Sequence, residues 1–204
     1  MTLAFATGNK GKLREASEIL GEGYTLVTPT ELGIFEEIPE TGQTLAENSL
    51  QKAQYLHARC GCDCFADDTG LEVDALGGAP GVHTARYGSQ EGHDSQANMA
   101  RLLRELVGIS IRTARFHTVV TYIGEDGAHV FEGFVEGRIA EGRSGDGGFG
   151  YDPVFIPDLI PGPDGALVPN SGSLTLAQIS EEDKNLISHR GMALRAMASW
   201  LHGR

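Results

Sequence analysis

The hydrophobic pattern of the first 21 residues changes abruptly, and this change limits the folds open to the chain. An apolar run over residues 2–6 leads into Thr7-Gly8-Asn9-Lys10-Gly11-Lys12, after which Leu13, Ala16 and Leu20 recur at helical spacing. The pattern predicts a strand, a glycine-bearing loop and a helix. Strand and helix patterns continue to alternate along the chain around a β-rich middle, which predicts a mixed α/β fold.

The later elements are predicted from the same two periodicities. Helices are expected over residues 44–59, 98–107 and 182–202. Thr44, with Glu47 three residues later, is typical of a capping box. Strands are expected over residues 25–28, 64–66, 71–73, 114–123, 129–140 and 153–156, with a turn after Asp67-Asp68-Thr69-Gly70. Residues 157–173, rich in Pro, Gly and Asp, are expected to form a surface excursion.

Composition and charge restrict the possible partners. The chain has 204 residues, enough for one domain or two tightly packed lobes. Its 28 Asp and Glu residues against 16 Lys and Arg give a formal charge of −12, which disfavours nucleic acid as a partner. A small phosphorylated ligand is still compatible, because clustered cations and a metal ion reverse the field locally. Without a basic leader or a long apolar run, we expect a cytoplasmic protein that does not enter the membrane.

Cysteines and histidines offer little support for a transition-metal site. Cys60, Cys62 and Cys64 alternate in one segment, so their thiolates could share an ion, but structural zinc sites usually bring two wider pairs. We therefore favour three reduced thiols at the entry to a buried strand. The histidines that lack ligand spacing are interpreted as structural or solvent-facing, namely His57, His83, His93, His117, His129 and His202.

The glycine-bearing loop is the first candidate for ligand binding. A turn from strand to helix exposes backbone N–H groups and a helix N-terminus, both of which attract phosphate, and Lys10 and Lys12 add positive charge. It is not a P-loop, because the G-x-x-x-x-G-K-[ST] spacing fails and Leu13 stands where the hydroxyl should be. A helix start with two solvated lysines explains the same residues.

Asp67 and Asp68 are the second candidate, at the predicted end of an apolar strand. Adjacent strand residues point to opposite faces, so we expect only one of the two carboxylates to face a site. A carboxylate there could hold Mg²⁺ or take a proton from an attacking water. The alternative is a simple turn signal.

Polar residues around the second helix add to this candidate. Glu40 precedes the helix, and Glu47, Asn48 and Lys52 lie within roughly 140° of one another on a helical wheel. These side chains could line one wall of a site. A solvated polar face is an equally good explanation of the spacing.

Two further candidates follow along the chain. The segment Gly147-Gly148-Phe149-Gly150-Tyr151-Asp152-Pro153 sets aromatic and acidic side chains in a backbone that can approach a flat ligand, although a glycine hinge is the alternative. Lys184 and Ser188-His189-Arg190 offer donors to phosphate or to a carbonyl oxygen. A capped, solvated helix turn would also account for them.

Together these motifs resemble one family over about residues 3–200. The family is the inosine triphosphate pyrophosphatases, the purine nucleotide house-cleaning enzymes. The motifs that carry the resemblance, in chain order, are Thr7-Gly8-Asn9-x-x-Lys12, Glu40-Thr41-Gly42, Glu47-Asn48 with Lys52, Ala66-Asp67-Asp68-Thr69-Gly70-Leu71, Gly78-Ala79-Pro80-Gly81, Ala85-Arg86-Tyr87, Gly148-Phe149-Gly150-Tyr151-Asp152-Pro153 and Ser188-His189-Arg190-Gly191.

The resemblance implies an architecture and an activity. It implies a two-lobed α/β fold, with a long mixed β-sheet flanked by helices and a nucleotide cleft between the lobes, and a single pyrophosphatase domain over residues 1–204. It also implies a homodimer and Mg²⁺-dependent hydrolysis of ITP, dITP and XTP to the monophosphate and pyrophosphate. Such chemistry needs charge neutralisation and a positioned water rather than a covalent nucleophile.

The resemblance also implies a role for each site residue. Residues 7–12 would cradle the triphosphate with Lys52 adding charge, and Glu40 and Asp68 would hold Mg²⁺. Asp68 would also act as general base beside Asp67. The substrate-binding set would include Thr7, Gly8, Asn9, Lys10, Gly11, Lys12, Thr69, Phe149, Gly150, Tyr151, Asp152, Lys184, His189 and Arg190, with Phe149 stacking on the base and the last four side chains contacting its edge.

Two departures from the family and two other functions stay open. Thr69 and His83-Thr84 stand where relatives commonly carry Ser and Tyr-Ser, and residues 157–173 look longer than usual. A pyrophosphatase for damaged pyrimidine or ordinary nucleotides is one alternative, and a nucleotide-sensing module without turnover is another. Because Arg190 and nearby N–H groups can only donate, we expect ITP, dITP and XTP to be preferred over ATP, with GTP between them.

Overall fold

The computed structural model describes residues 1–89 and 94–203. His93, interpreted above as structural or solvent-facing, lies outside these residues. The chain divides into two compact units, the first formed by Met1–Asp68, Thr118–Gly133 and the segment from Arg190 onward, the second by Thr69–His117 and Phe134–His189. The interpretation of residues 1–204 as one domain of two lobes stays a prediction.

The sheet confirms the predicted mixed α/β class. Its strands are β1 (Thr2–Phe5), β2 (Thr25–Val27), β3 (Cys64–Val73), β4 (Thr113–Gly124), β5 (Gly127–Ile139) and β6 (Phe155–Pro157). They are hydrogen-bonded in the order β2-β1-β3-β4-β5-β6. β1 pairs in parallel with β2 and β3, whereas β5 and β6 are antiparallel, so the sheet is mixed.

The helices begin where the sequence provides N-caps. They are α1 (Lys10–Leu20), α2 (Leu45–Cys60), α3 (Ser95–Glu105), α4 (Glu181–Leu186) and α5 (His189–His202). The Asn9 side chain caps α1, and Thr44 and Glu47 form the predicted capping box of α2. Among the described residues, every helix is too short or too polar to cross a membrane.

Each unit has its own apolar core. In the first unit, Phe5 and Phe65 stack with ring centroids 4.2 Å apart in one cluster, and Leu56 and Ala66 belong to a second. In the second unit, Phe155 is fully buried in a cluster that spans β3 to α4. Burial of each large apolar side chain contributes about 1.5–3 kcal/mol, which makes these clusters the main stabilising feature of both units.

The turn predicted after Asp67-Asp68 is wrong, because β3 runs without interruption through these residues. Leu71 and Val73, on the far side of Gly70, are fully buried in the core of the second unit. Tertiary burial therefore overrides the turn preference of the Asp-Asp-Thr-Gly sequence. The Asp pair lies in the middle of a strand and not at its end.

The long final helix predicted over residues 182–202 is also wrong, because it is two helices, α4 and α5. Ile187 ends α4 and packs in the core of the second unit. Leu194, Met197 and Leu201 belong to a cluster of the first unit. The apolar residues of the two helices keep one helical spacing across the break, although they pack into different cores. Periodicity alone therefore could not locate the break.

Residues 157–173 are more ordered than the predicted excursion. They contain a hairpin of β7 (Leu159–Pro161) and β8 (Leu167–Pro169), and Asn170 anchors it by donating to the Pro157 and Leu174 carbonyls at 2.9 and 2.8 Å. The prolines stand at strand ends, where the missing N–H is tolerated. Just before the hairpin, Pro153 and Val154 form a turn of 3₁₀-helix, so the strand predicted from 153 begins at Phe155.

We expect Gly137→Ala to destabilise the chain. A Cβ at Gly137 would lie 2.3 Å from the Ile156 carbonyl oxygen across the β5–β6 pair, and a backbone atom cannot rotate away. Overpacking of this kind should lower the free energy of unfolding by about 1–3 kcal/mol in urea titrations. Gly142→Ala, whose Cβ would have nothing within 4 Å, is the control and should change it by less than about 0.5 kcal/mol. Equal stability of the two variants would contradict this packing.

Candidate active site

A buried ion-pair network surrounds Asp67 in the first unit. The side chain is 2% exposed, and the Lys12 ammonium lies 2.8 Å from Oδ2. The Arg190 guanidinium donates from Nε to the same oxygen at 3.0 Å. Burial alone would raise the pKa of Asp67, but Lys12 and Arg190 lower it far below its ordinary range. Asp67 is therefore a permanent anion that orients two cations.

Glu15 completes this network and was not predicted from the sequence. Its Oε2 accepts from Arg190 Nη1 at 3.0 Å, so Arg190 bridges two carboxylates. Glu15 follows Lys12 by three residues on α1 and therefore shares its face, which was the only signal in the sequence. Lys12 and Arg190 carry two positive charges against the two negative charges of Asp67 and Glu15, so the four groups balance.

A second network, around Lys52, carries excess negative charge. The Lys52 ammonium lies 2.6 Å from Glu40 Oε1 and 3.3 Å from Asp68 Oδ1. Burial lowers the pKa of Lys52, but Asp68 and Glu40 outweigh it and raise the pKa, so the residue stays charged. One ammonium faces two carboxylates, which leaves one negative charge uncompensated.

One oxygen of the Asp68 carboxylate is buried without a hydrogen-bond partner. This atom, Oδ2, is the only such side-chain atom in the described part of the chain. Burial raises the pKa of Asp68, partly offset by Lys52. A buried carboxylate oxygen without a partner costs free energy, and a cation or a water proton would satisfy it.

Residues 7–12 do not form an open loop, because the Asn9 side chain fixes their backbone. The Asn9 Oδ1 atom accepts from the Gly11 and Lys12 N–H groups at 2.8 and 3.2 Å, so helix α1 begins within the predicted loop. Thr7 is nearly buried and its Oγ1 accepts from the Asn9 N–H. Gly8 and Lys10 are exposed. The Gly11 and Lys12 amides are thus bonded internally. Lys12 is the cation of this loop that enters the Asp67 network.

The α2 residues that were predicted to line one wall differ in burial. Asn48 and Lys52 are buried on one face of the helix. Glu47 is exposed and its Oε2 accepts from the Gln43 and Thr44 N–H groups, so its carboxylate serves the cap and not the wall. The capping-box sequence contained this signal, because the third helical residue of such a motif is consumed by the backbone.

The second unit brings together an aromatic ring and a buried acid on its glycine-rich segment. Phe149 is 79% exposed between Gly148 and Gly150, which have φ values of 75° and 61°. The Asp152 Oδ2 atom accepts from the Phe149 N–H at 3.1 Å and lies 3.4 Å from the Lys184 ammonium. A Cβ at Gly148 would fall 2.1 Å from that oxygen, so only glycine fits. Burial raises the pKa of Asp152.

The remaining predicted site residues are divided between the two units. The Tyr151 side chain is buried and donates to the Thr84 carbonyl at 2.9 Å, so its ring serves the core. The His189 ring stacks on Phe116 at 5.2 Å. Thr69 follows Asp68 in β3 and belongs to the second unit. Arg190 lies in the first unit with Asp67, whereas Asp152, Lys184 and His189, with which it was grouped, lie in the second.

The three cysteines form no disulfide, and Thr84 of the His83-Thr84 departure is a structural hydrogen-bonding residue. The thiols are free, with Cys60 and Cys62 Sγ atoms 2.8 Å apart and Cys64 buried. The Thr84 hydroxyl accepts from the Leu71 N–H at 2.8 Å and donates to the Gly81 carbonyl. Within residues 1–89 and 94–203 there is no group of three His, Cys, Asp or Glu side chains suited to a metal ion.

In the first unit, Lys52 bridges the Glu40 and Asp68 carboxylates, an arrangement of charges that can bind a cation or a polyanion. Comparison with known proteins defines the family, because residues 3–200 match the Ham1 family. The chain belongs to the Ham1 family.

Individual relatives agree with this assignment. A dITP/XTP pyrophosphatase of Porphyromonas gingivalis is 46% identical, over 98% of this chain and 96% of the relative. The solved Ham1 protein of Staphylococcus aureus is 34% identical with a TM-score of 0.88, covering 100% of this chain and 99% of the other. A dITP/XTP pyrophosphatase structure from Mycobacterium abscessus is 39% identical with a TM-score of 0.79, covering 98% and 99%.

The two adjacent aspartates should affect stability in opposite ways. Asp67→Asn leaves Lys12 without its buried counter-ion and Arg190 with Glu15 as its remaining partner, so we expect a loss of about 3 kcal/mol at neutral pH in metal-free buffer. Asp68→Asn removes a charge that burial disfavours and should leave stability unchanged or slightly higher.

The pH dependence follows from the lowered pKa of Asp67. The stabilisation by its charge is present above the ordinary value of 3.8 and is lost as the pH falls towards the lowered value. The stability difference between the unmodified chain and Asp67→Asn should therefore shrink below that pH in urea titrations. A constant difference, or a larger loss in Asp68→Asn, would contradict the assigned charges.

Proposed function

We propose that this pyrophosphatase of the Ham1 family hydrolyses aberrant purine nucleoside triphosphates, namely ITP, dITP and XTP, to the monophosphate and pyrophosphate. Water would attack the α-phosphorus, the bond to the oxygen that bridges the α- and β-phosphates would break, and pyrophosphate would leave. Its relatives named dITP/XTP pyrophosphatase support the substrate class. The networks in the first unit support the chemistry.

The observation that carries the proposal is the Glu40–Lys52–Asp68 network. It combines an excess carboxylate charge with a buried oxygen that has no partner, Asp68 Oδ2. Mg²⁺ is usually held by one or two carboxylates together with substrate phosphates, so Glu40 and Asp68 fit it without a larger ligand set. When bound, Mg²⁺ would neutralise charge on the phosphates.

The remaining chemistry falls to side chains of the chain itself. Asp68 would accept the proton of the attacking water, and its raised pKa suits a general base better than an ordinary aspartate. Asp67 would not compete for this role, because Lys12 and Arg190 keep it ionised. Lys12 and Lys52 would balance charge that moves onto the leaving pyrophosphate.

Residues of the second unit would hold the base. The exposed Phe149 ring offers a face for stacking, and Asp152 and Lys184 provide an acceptor and a donor beside it. Gly150, with a positive φ, lets the backbone turn next to Phe149. Tyr151 and His189 would support this binding surface from the core, and Thr69 would contribute from β3. We also propose that the protein is cytoplasmic and that it forms a homodimer, the latter supported by the family resemblance.

We expect Asp68→Asn to lower kcat for ITP by at least ~10²-fold, because it removes both a base and a metal ligand. Pyrophosphate release with Mg²⁺ gives the rate, and thermal unfolding confirms that the variant is folded. Asp74→Asn removes a carboxylate that is 42% exposed and should retain the activity of the unmodified chain. Near-normal turnover by folded Asp68→Asn would refute the assigned role.

Arg190→Ala tests how the purine is selected. If Arg190 donates to the 6-oxo group, the variant should compress the ITP-to-ATP ratio of kcat/KM, because adenine presents a donor there. Arg195→Ala, an exposed arginine on the same helix, is the matched control. Nε and Nη1 of Arg190 already donate to Asp67 and Glu15. An equal loss on every nucleotide would show that Arg190 acts through Asp67 and the phosphates.

A further inference from the structure

The loop that carries Glu40 is held by three side chains of α2. Glu40 Oε1 lies 2.6 Å from the Lys52 ammonium. The Thr41 N–H donates to Gln51 Oε1 at 2.9 Å, and the Gly42 N–H donates to Asn48 Oδ1 at 2.8 Å. Residues 40–42 belong to no strand or helix. Their polar groups are therefore bonded to side chains of α2 and not to a neighbouring strand or helical turn.

The contact between Gly42 and Asn48 is close-packed and is more buried than the exposed bond between Thr41 and Gln51. Asn48 is 4% exposed. A Cβ at Gly42 would lie 2.6 Å from the Glu47 Cβ and 2.9 Å from Asn48 Oδ1, so the loop backbone rests directly on the helix. Because the Gly42 amide can only donate, it fixes which end of the Asn48 amide is the oxygen.

We propose that Asn48 is a positioning residue that holds the Glu40 carboxylate in place for a divalent cation. This inference rests on the proposed function. The Glu40 side chain is 38% exposed and its ion pair is with Lys52. A cation that takes the carboxylate competes with that pair, and the backbone bonds to Asn48 and Gln51 then keep the loop in position. Groups that orient a ligand in this way typically change metal affinity by about 10–100-fold when removed.

Mn²⁺ binding to the full chain provides a measurement that does not depend on turnover. Mn²⁺ takes the same hard oxygen ligands as Mg²⁺, and free Mn²⁺ is followed by electron paramagnetic resonance. We expect Asn48→Ala to weaken Mn²⁺ binding by about 10-fold. Gly42→Ala disturbs the same contact from the loop side and should weaken it similarly, whereas Gly23→Ala, whose Cβ meets nothing within 4 Å, should not.

Two further variants grade the effect. Gln51→Ala breaks a solvent-exposed bond and should weaken Mn²⁺ binding by less than Asn48→Ala. Asn48→Asp keeps an oxygen acceptor for the Gly42 amide and should bind Mn²⁺ no more weakly than the unmodified chain. Weak binding by Asn48→Asp would overturn the role of the Gly42 bond. Thermal unfolding of each variant confirms that it is folded, and Gly42→Ala replaces Asn48→Ala if the latter is not.

A double-mutant cycle decides whether Asn48 acts through Glu40. In a Glu40→Gln background, adding Asn48→Ala should weaken Mn²⁺ binding by less than about 2-fold, because the group that it positions is already lost. A full 10-fold effect in that background would overturn the proposal. Asn48 also lies beside Asp68. Asn48→Ala is therefore added to Asp68→Asn as well, where it should still weaken Mn²⁺ binding by about 10-fold, because Asn48 acts through Glu40 and not through Asp68. If neither Glu40→Gln nor Asp68→Asn alone weakens Mn²⁺ binding, the proposed cation site itself is wrong.

Discussion

The buried negative charge of Asp67 imposes the main constraint on the first unit. A carboxylate that is 2% exposed in the middle of a strand is tolerated only with close counter-ions, because the loss of hydration costs several kcal/mol. Lys12 comes from α1 and Arg190 from the start of α5, so compensation of one charge fixes the ends of two helices beside β3. Asn9 caps α1 and so holds the first helical turn, which carries Lys12.

Asp68, the next residue in the strand, is also paired with a cation, but its charge is compensated less completely. Asp68 points to different partners from Asp67, as alternation along a strand requires, and meets a single lysine shared with Glu40. Its surroundings neutralise it incompletely and leave one oxygen without a partner. Adjacent carboxylates thus have opposite pKa shifts. In the proposed function Asp67 is structural and Asp68 takes part in the chemistry, a division of roles that is common at catalytic sites.

Much of this architecture could be predicted from local sequence signals. The caps at Asn9 and Thr44, the alternation of strands and helices, and the separation of Asp67 from Asp68 all follow from short-range rules. The continuity of β3 and the break between α4 and α5 could not be predicted in this way. Both depend on the burial of Leu71 and Ile187 among residues that are distant in the sequence. Glu15 was missed for the same reason, since its partner Arg190 is far along the chain.

The products formed from a panel of nucleoside triphosphates test the central claim most directly. With Mg²⁺ present, ITP, dITP and XTP should each yield one pyrophosphate and one monophosphate, GTP should react more slowly and ATP least. Removal of the metal by a chelator should abolish pyrophosphate release. Release of single phosphates, equal rates on ATP and ITP, or tight binding of ITP without any turnover would contradict the account.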